Sequence, residues 1–149
     1  MIKGRKVTNH VVFREFREKF AKVSKPEKDA PTIGKSLFTL SAQQLSDLQT
    51  NYTAWREYTE DLLTESLTEL MIAKEDYSYH YDIELLKLAE NLKVKTKEAL
   101  LNTSEVLREK TVYLQQVELY HELLGKKFES YTNCLTVISR EITRRGQDG

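Results

Sequence analysis

Residues 41–70 read SAQQLSDLQTNYTAWREYTEDLLTESLTEL, and this stretch decides the fold. Ser41 followed by Gln44 has the spacing of a capping box, in which the hydroxyl accepts from a backbone N–H that the first helical turn cannot satisfy. Leu40 and Leu45 bracket that start as a hydrophobic staple. Leu45, Leu48, Tyr52, Trp55 and Leu62 then recur at three-four spacing, the mark of one helix face. After a shift of one residue, Leu63, Leu67, Leu70, Ala73 and Tyr77 continue the face, and Leu85, Leu88 and Leu92 extend it. Neither glycine nor proline occurs between Gly34 and Gly125. A stretch that long without breakers, rich in Leu, Glu, Lys, Gln and Ala, predicts a helix over roughly residues 41–90.

A second helix is predicted from about Thr103 to Arg145. Asn102 and Glu105 offer a second capping-box pair, and Val106, Val112, Val117, Leu124, Phe128, Leu135, Ile138 and Ile142 supply an apolar side. Gly125 either bends this helix or splits it, and Gly146 stands where a left-handed cap is expected. Between the helices, Lys93-Val-Lys-Thr-Lys97 alternates more like a strand or loop and is the candidate turn. The fold class expected is therefore all-α: a long antiparallel αα-hairpin that self-associates. Paired apolar residues (Leu62–Leu63, Leu85–Leu86, Leu100–Leu101, Leu123–Leu124) spread over more surface than one partner helix covers. Copies of the chain packing together is one solution. The other is a three-helix monomer covered by the N-terminal segment.

That segment is different. Phe13, Phe16, Phe20 and Val23 recur at helical spacing among Arg14, Arg17, Lys19 and Lys22, which predicts a short basic amphipathic helix, followed by a linker through Pro26 and Pro31. The organisation expected is a basic arm over residues 1–40 and a hairpin oligomerisation domain over residues 41–149.

The formal net charge is zero, with 23 basic and 23 acidic residues, which argues against a strongly basic duplex-DNA binder. The balance hides segregation. Residues 1–35 carry ten Lys/Arg against four Asp/Glu, residues 36–91 carry three against eleven, and residues 125–149 carry five against three. Either the arm neutralises the acidic helix, or complementary ends promote assembly and the basic parts hold a polyanion.

Enzyme chemistry has no motif behind it. There is no phosphate-cradling glycine loop and no dinucleotide fingerprint. His10, His80 and His121 are isolated, and Cys134 has no partner at metal-ligand spacing, so no metal or cofactor is expected. One cysteine fits a reducing compartment, and no apolar run is long enough for a bilayer. In Asp76-Tyr-Ser-Tyr-His-Tyr-Asp82, Tyr77 and Tyr81 share a helix face. Such aromatics stack on bases or pack at a helix contact, and the flanking aspartates favour packing. The basic groups suited to phosphate are Lys3, Arg5, Lys6, Arg14 and Arg17 in the arm, Lys93, Lys95 and Lys97 at the turn, and Arg140, Arg144 and Arg145 near the end. Arginine forks match phosphate bidentately, although cations here also complement a helix C-terminus.

A long Leu-rich helix bearing an early Trp55, then Ala73 and a tyrosine cluster, a basic connection, Glu105-Val-Leu-Arg108, and a closing turn of Leu135, Ile138, Ser139-Arg140 and Ile142 resembles the small phage recombination mediators of the UvsY type. The resemblance spans roughly residues 45–145. It implies an all-helical protomer, a closed ring of subunits, and binding to single-stranded DNA. It also implies loading of a RecA-like recombinase onto strands coated by single-strand binding protein, in the bacterial host cytoplasm, for DNA recombination and repair. That family places basic residues on its first long helix. Here that helix is acidic, which sends DNA contacts to the arm, the lysines and the C-terminal arginines. The alternative is a coiled-coil structural or adaptor protein, such as a phage assembly factor, that binds only proteins.

Overall fold

The computed structural model describes residues 25–33 and 36–148. The predicted helix around Phe13–Val23 and the arm residues Lys3, Arg5, Lys6, Arg14 and Arg17 lie outside the described residues. Among those described, every regular element is helical: a 3-10 turn at Leu37–Thr39, then α1 (Ala42–Leu86), α2 (Val94–Asn102) and α3 (Glu105–Asp148).

The start of α1 follows from its capping box. Gln44 N–H donates to Ser41 Oγ at 3.1 Å, and Ser41 N–H donates to Gln44 Oε1 at 2.8 Å. Each residue satisfies a backbone donor of the other, and Leu40 packs against the cluster that buries Leu45. The other expected cap is corrected. Asn102 closes α2, and it is Ser104 Oγ that accepts from Leu107 N–H, at 3.4 Å, to open α3.

The connection also differs from expectation. Lys93 is the residue before α2, while Lys95 and Lys97 stand on it. The Lys-Val-Lys-Thr-Lys alternation is outweighed by Glu98, Ala99, Leu100 and Leu101, all good helix formers, and by burial of Leu101 to 4 % exposure. α3 passes through Gly125 and Gly146 without a break, and no glycine among the described residues has positive φ. A helical glycine costs only about 1 kcal/mol relative to alanine, too little to break a helix anchored on both sides.

The chain divides into two compact units. Thr64–Glu122 belong to one, and the described residues up to Leu63 together with those from Leu123 onward belong to the other. The second unit has an apolar core of Leu45, Tyr52, Tyr131, Leu135 and Ile138, with Leu37, Leu40, Leu48, Trp55 and Cys134 packed around it. Tyr52 and Tyr131 meet edge to face at 5.9 Å, and Gln49 Nε2 donates to Ser139 Oγ at 3.4 Å. Burial pushes the Tyr52 hydroxyl up to about 12, assisted by its hydrogen bond with Cys134. The segment before the 3-10 turn is tied down by Trp55 Nε1, which donates to the Lys28 carbonyl at 3.0 Å, and by Asn51 Nδ2, which donates to that of Asp29 at 3.3 Å.

In the Thr64–Glu122 unit the seam between α1 and α3 is polar. Ser66 Oγ and His121 Nδ1 share a hydrogen bond of 2.7 Å. Tyr113 O–H donates to Glu69 at 2.5 Å, and Lys110 Nζ pairs with Asp76 Oδ2 at 2.5 Å. As residue numbers rise along α1, the partner numbers on α3 fall. Burial along α1 keeps strict sevenfold spacing: Leu45, Tyr52, Thr59, Ser66, Ala73 and His80 are all at most 5 % exposed. The expected shift of face after Leu62 is therefore corrected. Leu67 is 47 % exposed and Ser66 takes the inward position, while Ala73, expected on that face, is buried.

Candidate nucleic-acid interface

In the unit containing the chain's C-terminal end, α3 carries Thr132, Thr136, Ser139 and Thr143 at three-four spacing, which places four hydroxyls on one side of the helix. Arg140 and Arg144 follow the same spacing. Across from them, Arg56 of α1 completes a groove of about 480 Å³, also lined by Leu135 and Gln147. Three guanidinium groups thus border one concavity.

The hydroxyls differ in what they have left to offer. Thr132 Oγ1 donates to the Phe128 carbonyl at 3.0 Å, and Thr136 Oγ1 to that of Thr132 at 3.1 Å, so their protons serve the helix. Ser139 Oγ accepts from Gln49, and among the described residues its own proton is given to no acceptor, so it can serve a ligand. The groove therefore presents fixed cations and at least one hydroxyl donor, the chemistry that holds a phosphate oxygen.

The arginines split by role. Arg145 is structural: its Nη2 donates to the Leu37 carbonyl at 3.0 Å and its Nε to Glu141 at 2.9 Å, fastening the 3-10 turn to α3. Arg144 grips Glu141 through Nε at 3.0 Å and Nη2 at 2.8 Å, and lies 5.3 Å from the centroid of the Phe38 ring. Glu141 positions both side chains. Its carboxyl is held down at about 2, first by the hydrogen bond from Arg144 and then by Arg145. Among the described residues, Arg56 and Arg140 engage no carboxylate.

This has a pH consequence. The unfolded chain protonates Glu141 near its ordinary 4.5, whereas the folded chain holds it ionised down to about 2. The resulting stabilisation is complete above pH 4.5 and is lost as pH falls from there towards 2. In thermal melts across that window, wild type is expected to lose Tm more steeply than Glu141→Gln. Parallel curves would show that the clamp contributes nothing.

The remaining sequence-expected residues lie elsewhere. Lys93 and Lys95 are exposed and Lys97 is half-buried, at the start of α2 in the Thr64–Glu122 unit. None of the three is among the residues that line the arginine groove. Arg56 was missed by the sequence reading. The available signal was that it is the one arginine in the acidic stretch 36–91. Among the described residues, no cluster of three or more His, Cys, Asp or Glu is placed to hold a metal ion, and no helix is long and apolar enough to cross a membrane.

Comparison with known proteins returns no matching family model, no matching curated protein and no matching solved structure. The groove must therefore be interpreted on its own chemistry.

Proposed function

We propose that this chain is a non-enzymatic helical-hairpin protein that binds single-stranded DNA through its phosphates, self-associates, and acts as a recombination mediator of phage type. The observation that carries the reading is the convergence of Arg56, Arg140 and Arg144 on one hydroxyl-bearing groove. A groove with two or three cations suits a flexible strand, which can bend its backbone to them. Each protomer makes few phosphate contacts, so useful affinity comes from several copies engaging one strand. The falling partner numbers in each unit support the antiparallel hairpin. Exposed Leu67, Met71, Leu119 and Leu123 support packing between copies, up to a closed ring. The resemblance to UvsY-type mediators supplies the rest of the reading: delivery of a RecA-like recombinase to strands coated by single-strand binding protein, in the host cytoplasm.

The test is fluorescence anisotropy of a labelled oligothymidine across a salt series. Wild type is expected to bind with an affinity that falls steeply with salt. Arg56→Ala/Arg140→Ala removes two phosphate contacts and is expected to lower the slope of log K against log salt by about 1.4. Absence of salt-sensitive binding by wild type at low ionic strength would overturn the reading.

The same exposed apolar residues favour a second reading, a protein-only coiled-coil adaptor or phage assembly factor. It predicts oligomers by light scattering whose mass does not change on adding oligonucleotide.

A further inference from the structure

The Thr64–Glu122 unit holds a second concavity, of about 340 Å³, lined by Tyr77, Tyr81, Leu101, Asn102, Leu107, Arg108, Thr111 and Val112. Its volume is within the range of small-molecule sites, about 300–1,000 Å³. We infer that this pocket takes a single unstacked nucleobase, with the attached phosphate on Arg108. The inference goes beyond the proposed function, because it concerns another unit and one nucleotide rather than a strand.

Three features of the lining define the ligand. The first is aromatic. Tyr77 and Tyr81 are one helical turn apart on α1, with ring centroids 6.2 Å apart and planes inclined at 36°. Both rings are half-buried, so they belong to neither the core nor the open surface. Buried Leu101 and Leu107 add apolar surface to the lining. Such a surface favours a flat, polarisable group, because every base offers a π-face to an aromatic side chain. The second feature is the Asn102 amide, which can donate and accept at once and so suits the polar edge of a base. The third is charge. Among the described residues, Arg108 is the only ionised side chain in the lining, so the ligand that matches it carries an anion.

The sequence argued against an anion here, since Asp76 and Asp82 flank the tyrosines. Asp82 is exposed and does not line the pocket, and Asp76 is paired elsewhere. Asp76 is turned into the seam, where Lys110 Nζ meets Oδ2 at 2.5 Å and His80 Nδ1 lies 3.3 Å from Oδ1. Its charge is compensated away from the pocket.

The test is an NMR titration of the full chain with tyrosine rings labelled. Tyr77→Phe and Tyr81→Phe assign the two signals. Adenosine 5′-monophosphate, raised to millimolar concentration, is expected to shift both ring signals upfield by stacking. Ribose 5-phosphate, which has the phosphate without the base, is expected to leave them in place. Tyr81→Leu and Arg108→Ala, both at accessible positions, are each expected to weaken the nucleotide by about tenfold. No shift with the nucleotide, or equal shifts with ribose 5-phosphate, would overturn the inference. Failure here is separable from failure of strand binding, which Arg56→Ala/Arg140→Ala reports in the other unit.

Discussion

Replacing Lys110 by methionine is expected to destabilise the protein by about 3–5 kcal/mol, whereas replacing Lys110 and Asp76 together, by methionine and leucine, is expected to be close to neutral. The reasoning starts from burial. The side chains of Asp76 and Lys110 are 10 % and 12 % exposed, and their charged atoms meet at 2.5 Å. Among the described residues, Asp76 Oδ1 is buried without a hydrogen-bond partner, since His80 Nδ1 bonds the Asp76 carbonyl at 2.8 Å and only approaches Oδ1 at 3.3 Å. Lys110 is therefore the main compensation for a carboxylate removed from water. Removing the cation alone strands that charge, while removing both ends removes the desolvation cost along with the attraction. Urea unfolding of the wild type, both single variants and the double variant measures the coupling directly. A Lys110→Met variant as stable as wild type would show that the pair is solvated in practice.

The same pair explains why a polar seam is worth keeping. A slip of α3 by one heptad would set Asp76 against Thr103 or Val117 in place of Lys110. It would likewise part Glu69 from Tyr113 and Ser66 from His121. An all-leucine seam tolerates such slips, whereas buried polar groups penalise every register but one.

This seam marks where reading the sequence stops short. The all-helical class, the Ser41–Gln44 cap and the inward turn of Leu45, Tyr52, Leu135 and Ile138 were legible, because apolar spacing and capping chemistry are local. The phase of α1 beyond Leu62 was not. A reading that follows apolar residues steps onto Leu63 and Leu67, but the helix keeps its sevenfold register by burying Thr59, Ser66 and His80. Thr59 and His80 become acceptable inside by bonding the carbonyls of Trp55 and Asp76 one turn back, whereas Ser66 depends on His121, far along the chain. The α2 helix was missed for a related reason: Leu101 anchors it, and anchoring is a tertiary property. In the arginine groove, Arg140 and Arg144 were legible from their spacing of four, while Arg56 enters from a helix whose overall charge is opposite. That Arg145 would be spent on the carbonyls of Leu37 and Phe38 has no counterpart in local sequence.

The core of the other unit makes the second large prediction. Ile138 is fully buried, at 0 % exposure, in the cluster with Leu45, Tyr52, Tyr131 and Leu135. Ile138→Ala removes buried methyl and methylene groups and leaves a cavity between residues held by two long helices, which limits how far the site can collapse. The expected cost is about 2–5 kcal/mol. Ile142, one turn further along α3, is 38 % exposed. The same change there removes less apolar surface from contact and opens no enclosed cavity, so it is expected to cost less than about 1 kcal/mol. Comparing the two variants controls for helix propensity, since both exchange isoleucine for alanine within α3. Urea midpoints with unchanged m-values give the difference. Near-equal losses would mean that the face of α3 carrying Ile142 is covered in solution as fully as the face carrying Ile138. Because Ile142 is on the surface of the isolated chain, the cover would have to come from another molecule. Repeating the Ile142→Ala measurement over a range of protein concentrations would then expose it, since only an intermolecular contact makes that loss depend on concentration.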